Sequence, residues 1–218
     1  MRVPHETIYL SLFVWSRGAL RQELARYLRT GRARRRPRGL SVRTGQGQLR
    51  GTVHISARPA EARDRAVPGH WEGDLVFGTR SSTVATLVER TSRFVMLVHL
   101  PGSHTAGVVA DALADAITSL PRQLRRSLTW DQGKQMAEHA RFSVATGVPV
   151  SFCDPHSPWQ RGSNQNTNGL LRQYFPRSTD FRALTQRDLD HVAAELNGRP
   201  RQTLGWKSPC QALDEALR

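Results

Sequence analysis

Two aspartates stand where an ionised side chain needs a specific reason. Asp74 lies in the middle of the β-rich run HWEGDLVFG, and Asp131 ends the short run SLTWD. A strand that buries at least one face rarely carries a carboxylate without a dedicated partner. Carboxylates gathered in one place repel and take up protons, unless divalent cations sit between them and reverse the local charge balance. Two Mg²⁺ ions about 4 Å apart, clamped in this way, activate a nucleophile and stabilise the leaving oxygen of a phosphodiester. One carboxylate then bridges both ions and each of the others holds one. A third such residue is usefully placed on a helix packed beside the strands.

The elements needed to position such a site can be read from the periodicity. HWEGDLVFG, STVATLVER and RFVMLVHL are three β-rich runs separated by short connections, which predicts an antiparallel meander. A helix is predicted over about 104–120, where Val109, Leu113, Ala116, Ile117 and Leu120 keep one apolar face. SLTWD is then a short strand, KQMAEHARFSVAT a helix and VPVSFC another short strand, and the chain from about Ser163 is mostly helical. The order β-β-β-α-β-α-β-α is that of a ribonuclease H-like α/β domain, a mixed five-stranded sheet flanked by helices. Residues 5–29 show two helical stripes, Ile8, Leu12 and Trp15, then Leu20, Leu24 and Leu28. The pair reads either as the end of a helix-turn-helix DNA reader or as a small packing hairpin.

Charge is unevenly spread along the chain. Residues 31–70 hold ten arginines against two acids, so this short segment carries +8 of the net +14. It is rich in Arg, Gly and Pro with few large apolar residues, and reads as an extended linker. Arg34, Arg35, Arg36 and Arg38 form its densest part. Such an arm neutralises phosphates without needing a fold, which points to nucleic acid as the partner. The domain reading is therefore 1–30 helical, 31–69 linker and 70–218 catalytic domain. No stretch approaches the roughly 18 apolar residues of a membrane helix, and the start lacks the order of a secretory signal. A cytoplasmic, nucleoid-associated protein without a membrane partner is expected. Cys153 and Cys210 are far apart, and the C-x-x-H of Cys153 and His156 cannot by itself close a tetrahedral metal site.

GHWEGDL, TLVERTSRFVMLVHLP, LTWDQGKQMA, PHSPWQRGSNQNTNGLLRQYFP and LNGRPRQTLGWKSP together resemble the core of bacterial insertion-sequence transposases of the IS-thirty type. These are DDE transposases with an integrase-like catalytic domain. The match runs from about residue 70 almost to the C-terminus, and HETIYLSLF resembles a stretch that precedes that domain in the family. The resemblance implies that Asp74 bridges the metals, that Asp131 binds one of them, and that the family's third carboxylate, a Glu, falls on Gln165. Between Asp131 and Gln165 lie 33 residues, the spacing the resemblance implies, and the flanking SN and NTNGLLRQYFP hold the register.

An amide oxygen supplies no negative charge to offset the dehydration of Mg²⁺. The resemblance thus implies a Mg²⁺-dependent enzyme, with Mn²⁺ as the alternative ion, that hydrolyses and joins strands at element ends and is impaired by Gln165. Its implied partners are double-stranded DNA, both element ends and target, and other copies, either as a homo-oligomer or mixed with full-length transposase. The alternative is a non-catalytic DNA-binding or inhibitory remnant. Family members also carry a longer helix-turn-helix region, most of which has no counterpart before Met1, so sequence-specific end recognition is not expected.

Other side chains near the site have two readings each. Arg172, seven residues after Gln165, and Lys134, three after Asp131, reach a phosphate or simply solvent. Arg161 is grouped with them as a DNA contact. Trp159 stacks on a base or packs on the core, the latter being the better reading. Asp154 is expected to form a turn. Glu72 shares a strand face with Asp74, but the family resemblance already includes a Glu there, so it is a poor substitute for the missing carboxylate.

Overall fold

Alternation along the β-rich runs decides which side chains face which layer. The computed structural model describes residues 52–58, 60–100, 102–154 and 157–218, which belong to one unit, Gly45–Arg218. The helical stripes expected over 5–29, together with Arg34, Arg35, Arg36 and Arg38, lie outside the described residues. The chain order is β1 (Val53–His54), α1 (Ala60–Asp64), β2 (His70–Phe77), β3 (Thr83–Glu89), β4 (Val95–His99) and α2 (Ala106–Thr118). It continues through β5 (Ser127–Trp130), α3 (His139–Thr146), β6 (Val150–Phe152), α4 (Gly162–Leu171), α5 (Gln186–Gly198) and α6 (Pro209–Ala216).

The strands form one mixed sheet in the order β1-β6-β5-β2-β3-β4. β2, β3 and β4 are the expected antiparallel meander, while β5 pairs parallel with β2 and with β6. Trp71 and Leu75 of β2 join Val109, Leu113 and Ile117 of α2 in a core that also holds Leu128, Trp130, Phe142 and Phe152. Val76, Val84, Val88 and Leu97 pack on the opposite side, with Leu171 of α4 and Leu189, Val192 and Leu196 of α5. Period two therefore sends Glu72 and Asp74, in phase with Val76, toward the α4 and α5 layer. Gly73 lies between them and takes the other side. A Cβ there would overlap the Trp130 ring, so the absence of a side chain at Gly73 lets the indole lie against β2.

The sheet has six strands rather than the expected five. The sixth, β1, comes from the segment read as linker and pairs parallel with β6 through Val53↔Ser151 and His54↔Phe152. A two-residue strand carries no alternation to detect. The same segment supplies α1, whose Ala62 is fully buried and whose carbonyl accepts a 2.9 Å hydrogen bond from Arg90 Nε. The helix expected over KQMAEHARFSVAT also differs, being split into a 3₁₀ turn at Lys134–Met136 and α3.

The outer edge of β4 is closed by side chains of α5. Asn197 accepts from the Val95 N–H and donates to the Val95 carbonyl, both at 2.8 Å. Gln186 accepts from the His99 N–H at 2.8 Å and donates to the Leu97 carbonyl at 2.7 Å. Two primary amides thus satisfy backbone groups that would otherwise invite a further strand. α5 is fixed at its start by a capping box, in which Thr185 and Asp188 exchange hydrogen bonds. Among the described residues no helix is long and apolar enough to cross a membrane.

Candidate active site

The parallel pairing of β2 with β5 brings the two aspartates to the same end of the sheet. Its last register pair is Glu72↔Thr129, and Asp74 and Asp131 each stand two residues further along. Asp74 Oδ1 accepts a 2.9 Å hydrogen bond from the Leu75 N–H, and Asp74 Oδ2 accepts one of 3.0 Å from Asn168 Nδ2. Asp131 Oδ1 accepts from the Gly133 N–H at 3.1 Å. A Cβ on Gly133 would come within 2.9 Å of that same oxygen, so glycine keeps this approach open. The Asp131 side chain is 43% exposed and that of Asp74 is 24% exposed.

A guanidinium lies between them. Arg161 Nη1 is 3.3 Å from Asp74 Oδ1, and Arg161 Nη2 is 3.4 Å from Asp131 Oδ2. Nη1 also donates to the Gly73 carbonyl at 2.7 Å, and the arginine as a whole is buried. Burial raises the Asp74 carboxyl above the ordinary carboxylate range; Arg161 opposes that rise and Asp131 adds to it. For Arg161 burial acts downward, but the two carboxylates outweigh it and hold the guanidinium above its usual value. Arg161, expected as a DNA contact, is buried as an internal ion-pair bridge between the two acids.

α4 builds the rest of the site from amides. Asn164 is fully buried and donates through Nδ2 to the Glu72 carbonyl at 2.9 Å, while its backbone N–H donates to Glu72 Oε2 at 3.0 Å. The Thr86 hydroxyl lies 3.1 Å from Asn168 Oδ1, and Thr86 is the register partner of Asp74 on β3. Asn164 and Asn168 are one helical turn apart on the inner face. Gln165 is exposed on α4, three residues before Asn168, which donates to Asp74, whereas Arg161 lies in the 3₁₀ turn that precedes the helix. The sequence pattern missed the parts played by Arg161, Asn164 and Asn168. The available signal was the polar run SNQNTN, which has no apolar residue until Leu170 although the helix packs against a sheet.

Glu72 is no spare metal ligand. It is fully buried and paired with the guanidinium of Arg90, which is itself buried. Removing a carboxylate from such a pair leaves an uncompensated charge, a change worth roughly 3–5 kcal/mol. Lys134 is exposed at the start of its 3₁₀ turn. Arg172 is turned onto the protein, with Nη2 donating to the Phe77 carbonyl at 2.8 Å. Trp159 is 72% exposed, which overturns the expected core packing, because the 3₁₀ turn Pro158–Arg161 directs it outward while Arg161 goes in. Asp154 is held by the His54 ring, and its Oδ2 accepts from Gln160 Nε2 at 2.7 Å, so it ties β1 to the loop before α4. Cys153 is a buried free thiol that burial pushes up to about 11, and His156 lies outside the described residues.

A centre holding two divalent ions needs more anionic donors than are present. Among the described residues no group of three His, Cys, Asp or Glu could hold a metal ion. The donors are two carboxylates already sharing a guanidinium, with an amide at the helix position, and this set does not fit a two-metal centre.

The comparisons agree with this architecture. Residues 64–158 match the integrase core domain family. Over its full length the chain is 50% identical to the transposase for insertion sequence element IS1086 of Cupriavidus metallidurans, spanning 64% of that protein. It is 47% identical to the transposase InsI for insertion sequence element IS30A of Escherichia coli, spanning 57% of that one. The chain therefore spans about three-fifths of the length of these relatives. In fold it is similar to a chain of the simian T-cell lymphotropic virus intasome, with a TM-score of 0.54 and 21% identity over 67% of this chain and 54% of that one. It is also similar to the catalytic core domain of BIV integrase, with a TM-score of 0.50 and 19% identity over 68% of this chain and 95% of that one.

Proposed function

Because the chain belongs to the insertion-sequence transposases of the IS-thirty type and carries their integrase core, we propose that it is a DNA strand-transfer core impaired at one position. Members of this family generally use a divalent metal ion. The reaction proposed for the lineage is phosphodiester hydrolysis at element ends, followed by joining of the freed 3′-hydroxyl to target DNA. Asp74 and Asp131 are the proposed acidic pair, and Gln165 takes the place of the third acid. One observation carries this reading: Gln165 is exposed on α4, three residues and so about one helical turn before Asn168, which donates to Asp74 Oδ2. A carboxylate there would add the missing negative charge beside the pair, whereas an amide adds none.

The test is cleavage of a labelled end substrate in Mg²⁺ and in Mn²⁺, comparing the natural chain with Gln165→Glu. Changes to groups behind a metal ligand already cost about 10–100-fold. Restoring a ligand itself is expected to raise cleavage by on the order of tenfold or more. Asp74→Asn and Asp131→Asn are expected to abolish the regained activity. The arginine already bridging the two acids also favours a second reading, a DNA-binding protein without catalysis that occupies DNA or joins full-length transposase. Under that reading Gln165→Glu remains inactive while DNA binding persists.

A further inference from the structure

A buried arginine that shares its charge between two acids behaves as a counter-ion supplied by the chain. We propose that Arg161 is such an internal counter-cation: it holds Asp74 and Asp131 together and competes with a divalent metal ion for them. This rests on the assignment of Asp74 and Asp131 as the metal-facing pair, and goes beyond it by giving the site a resident competitor.

Three observations converge on this role. Two carboxylates at the end of neighbouring parallel strands repel unless a cation is shared, and one planar guanidinium is wide enough to reach both. Arg161 approaches the site from the 3₁₀ turn that leads directly into α4, so the competitor is joined to the helix that carries Gln165. The contacts are loose as well. Distances of 3.3 and 3.4 Å exceed the roughly 2.7–2.9 Å of a strong charge-assisted hydrogen bond, and Nε is buried without a partner. Charge and the 2.7 Å hydrogen bond to the Gly73 carbonyl, rather than bidentate geometry on either acid, keep the guanidinium in place. A divalent ion brings twice the charge to the same oxygens, but binding it strands a buried arginine beside the metal or forces that arginine outward. Metal affinity is lowered by that cost, over and above the neutral Gln165.

The test titrates Mn²⁺ into the full 218-residue chain, following free Mn²⁺ by electron paramagnetic resonance, with thermal unfolding measured in EDTA and in Mn²⁺. An adjacent cation moves the proton affinity of a carboxylate by roughly 1–3 pKa units. Arg161→Gln is therefore expected to bind Mn²⁺ on the order of tenfold more tightly, to melt below the natural chain in EDTA, and to regain stability in Mn²⁺. Unchanged or weaker Mn²⁺ binding by folded Arg161→Gln overturns the proposal. If that variant does not fold, Arg161→Lys decides: it keeps the charge but cannot span both acids, and is expected to bind Mn²⁺ more tightly than the natural chain. Equal or weaker binding by Arg161→Lys is again a refutation. Asp74→Asn combined with Asp131→Asn separates the two levels of the argument. If the double variant still binds Mn²⁺ like the natural chain, the acidic pair is not the metal locus and the proposed function loses its site. If it loses Mn²⁺ while Arg161→Gln matches the natural chain, only the role of Arg161 fails.

Discussion

Gly73 illustrates how closely packing and the site are joined. Its neighbours Glu72 and Asp74 face α4, its carbonyl receives Arg161, and its missing side chain makes room for Trp130 on the opposite face of the sheet. Gly73→Ala is expected to lower stability by about 1–3 kcal/mol, the usual cost of overpacking a full core. A downward shift in melting temperature with a changed tryptophan emission spectrum would show it; unaltered melting would mean that the indole has room to spare. Asp74 and Asp131 are legible in the sequence because a carboxylate in or directly after a buried strand is anomalous on its own. Arg161 is not, since an arginine at a helix start is ordinary in composition. Only the packing of α4 on β2 and β3, with the 3₁₀ turn that leads into it, brings its guanidinium to both acids. Trp159 was misread for a related reason: hydrophobic type alone does not tell which side of a 3₁₀ turn a residue takes.

The strands and helices that build the site were legible to different degrees. β2, β3, β4 and α2 each carry enough residues to display a period, and the structure has them close to where alternation and helical spacing predict. β1 is two residues long and α1 five, too short for either signal, so their stretch reads as linker although Ala62 is buried beside Arg90. α4 is misleading in another way, because ahead of Leu171 its inner face is polar, with Asn164 pairing with strand carbonyls and with Glu72. The same device recurs at α5, where Asn197 closes the edge of β4. Asn197→Ala would leave the Val95 N–H and carbonyl without their partner, at about 1–3 kcal/mol for each buried group left unmet. Amide hydrogen exchange at Val95 is expected to speed up markedly in that variant, with a lower melting temperature. Exchange at the natural rate would show that water or another group replaces the asparagine.

The whole chain combines a sheet whose acids are neutralised from within and a net charge of +14, over half of it in residues 31–70. That distribution separates two properties. Binding to unrelated DNA duplexes is expected to rest on the basic segment and to weaken steeply with salt, with a log–log slope near 0.9 for each phosphate contacted. Replacing Arg34, Arg35, Arg36 and Arg38 together by alanine is expected to flatten that slope; an unchanged slope would move the contact to another surface. Under the proposed function, cutting and joining depend instead on the charge collected at Asp74, Asp131 and position 165, where the guanidinium of Arg161 already offsets part of what the two acids provide. The measurement that bears most directly on this account is strand cleavage by the natural chain and by Gln165→Glu on the same labelled end substrate in Mg²⁺ and Mn²⁺. The account predicts activity that appears or rises at least about tenfold only with the glutamate. Equal activity in the two proteins would contradict it.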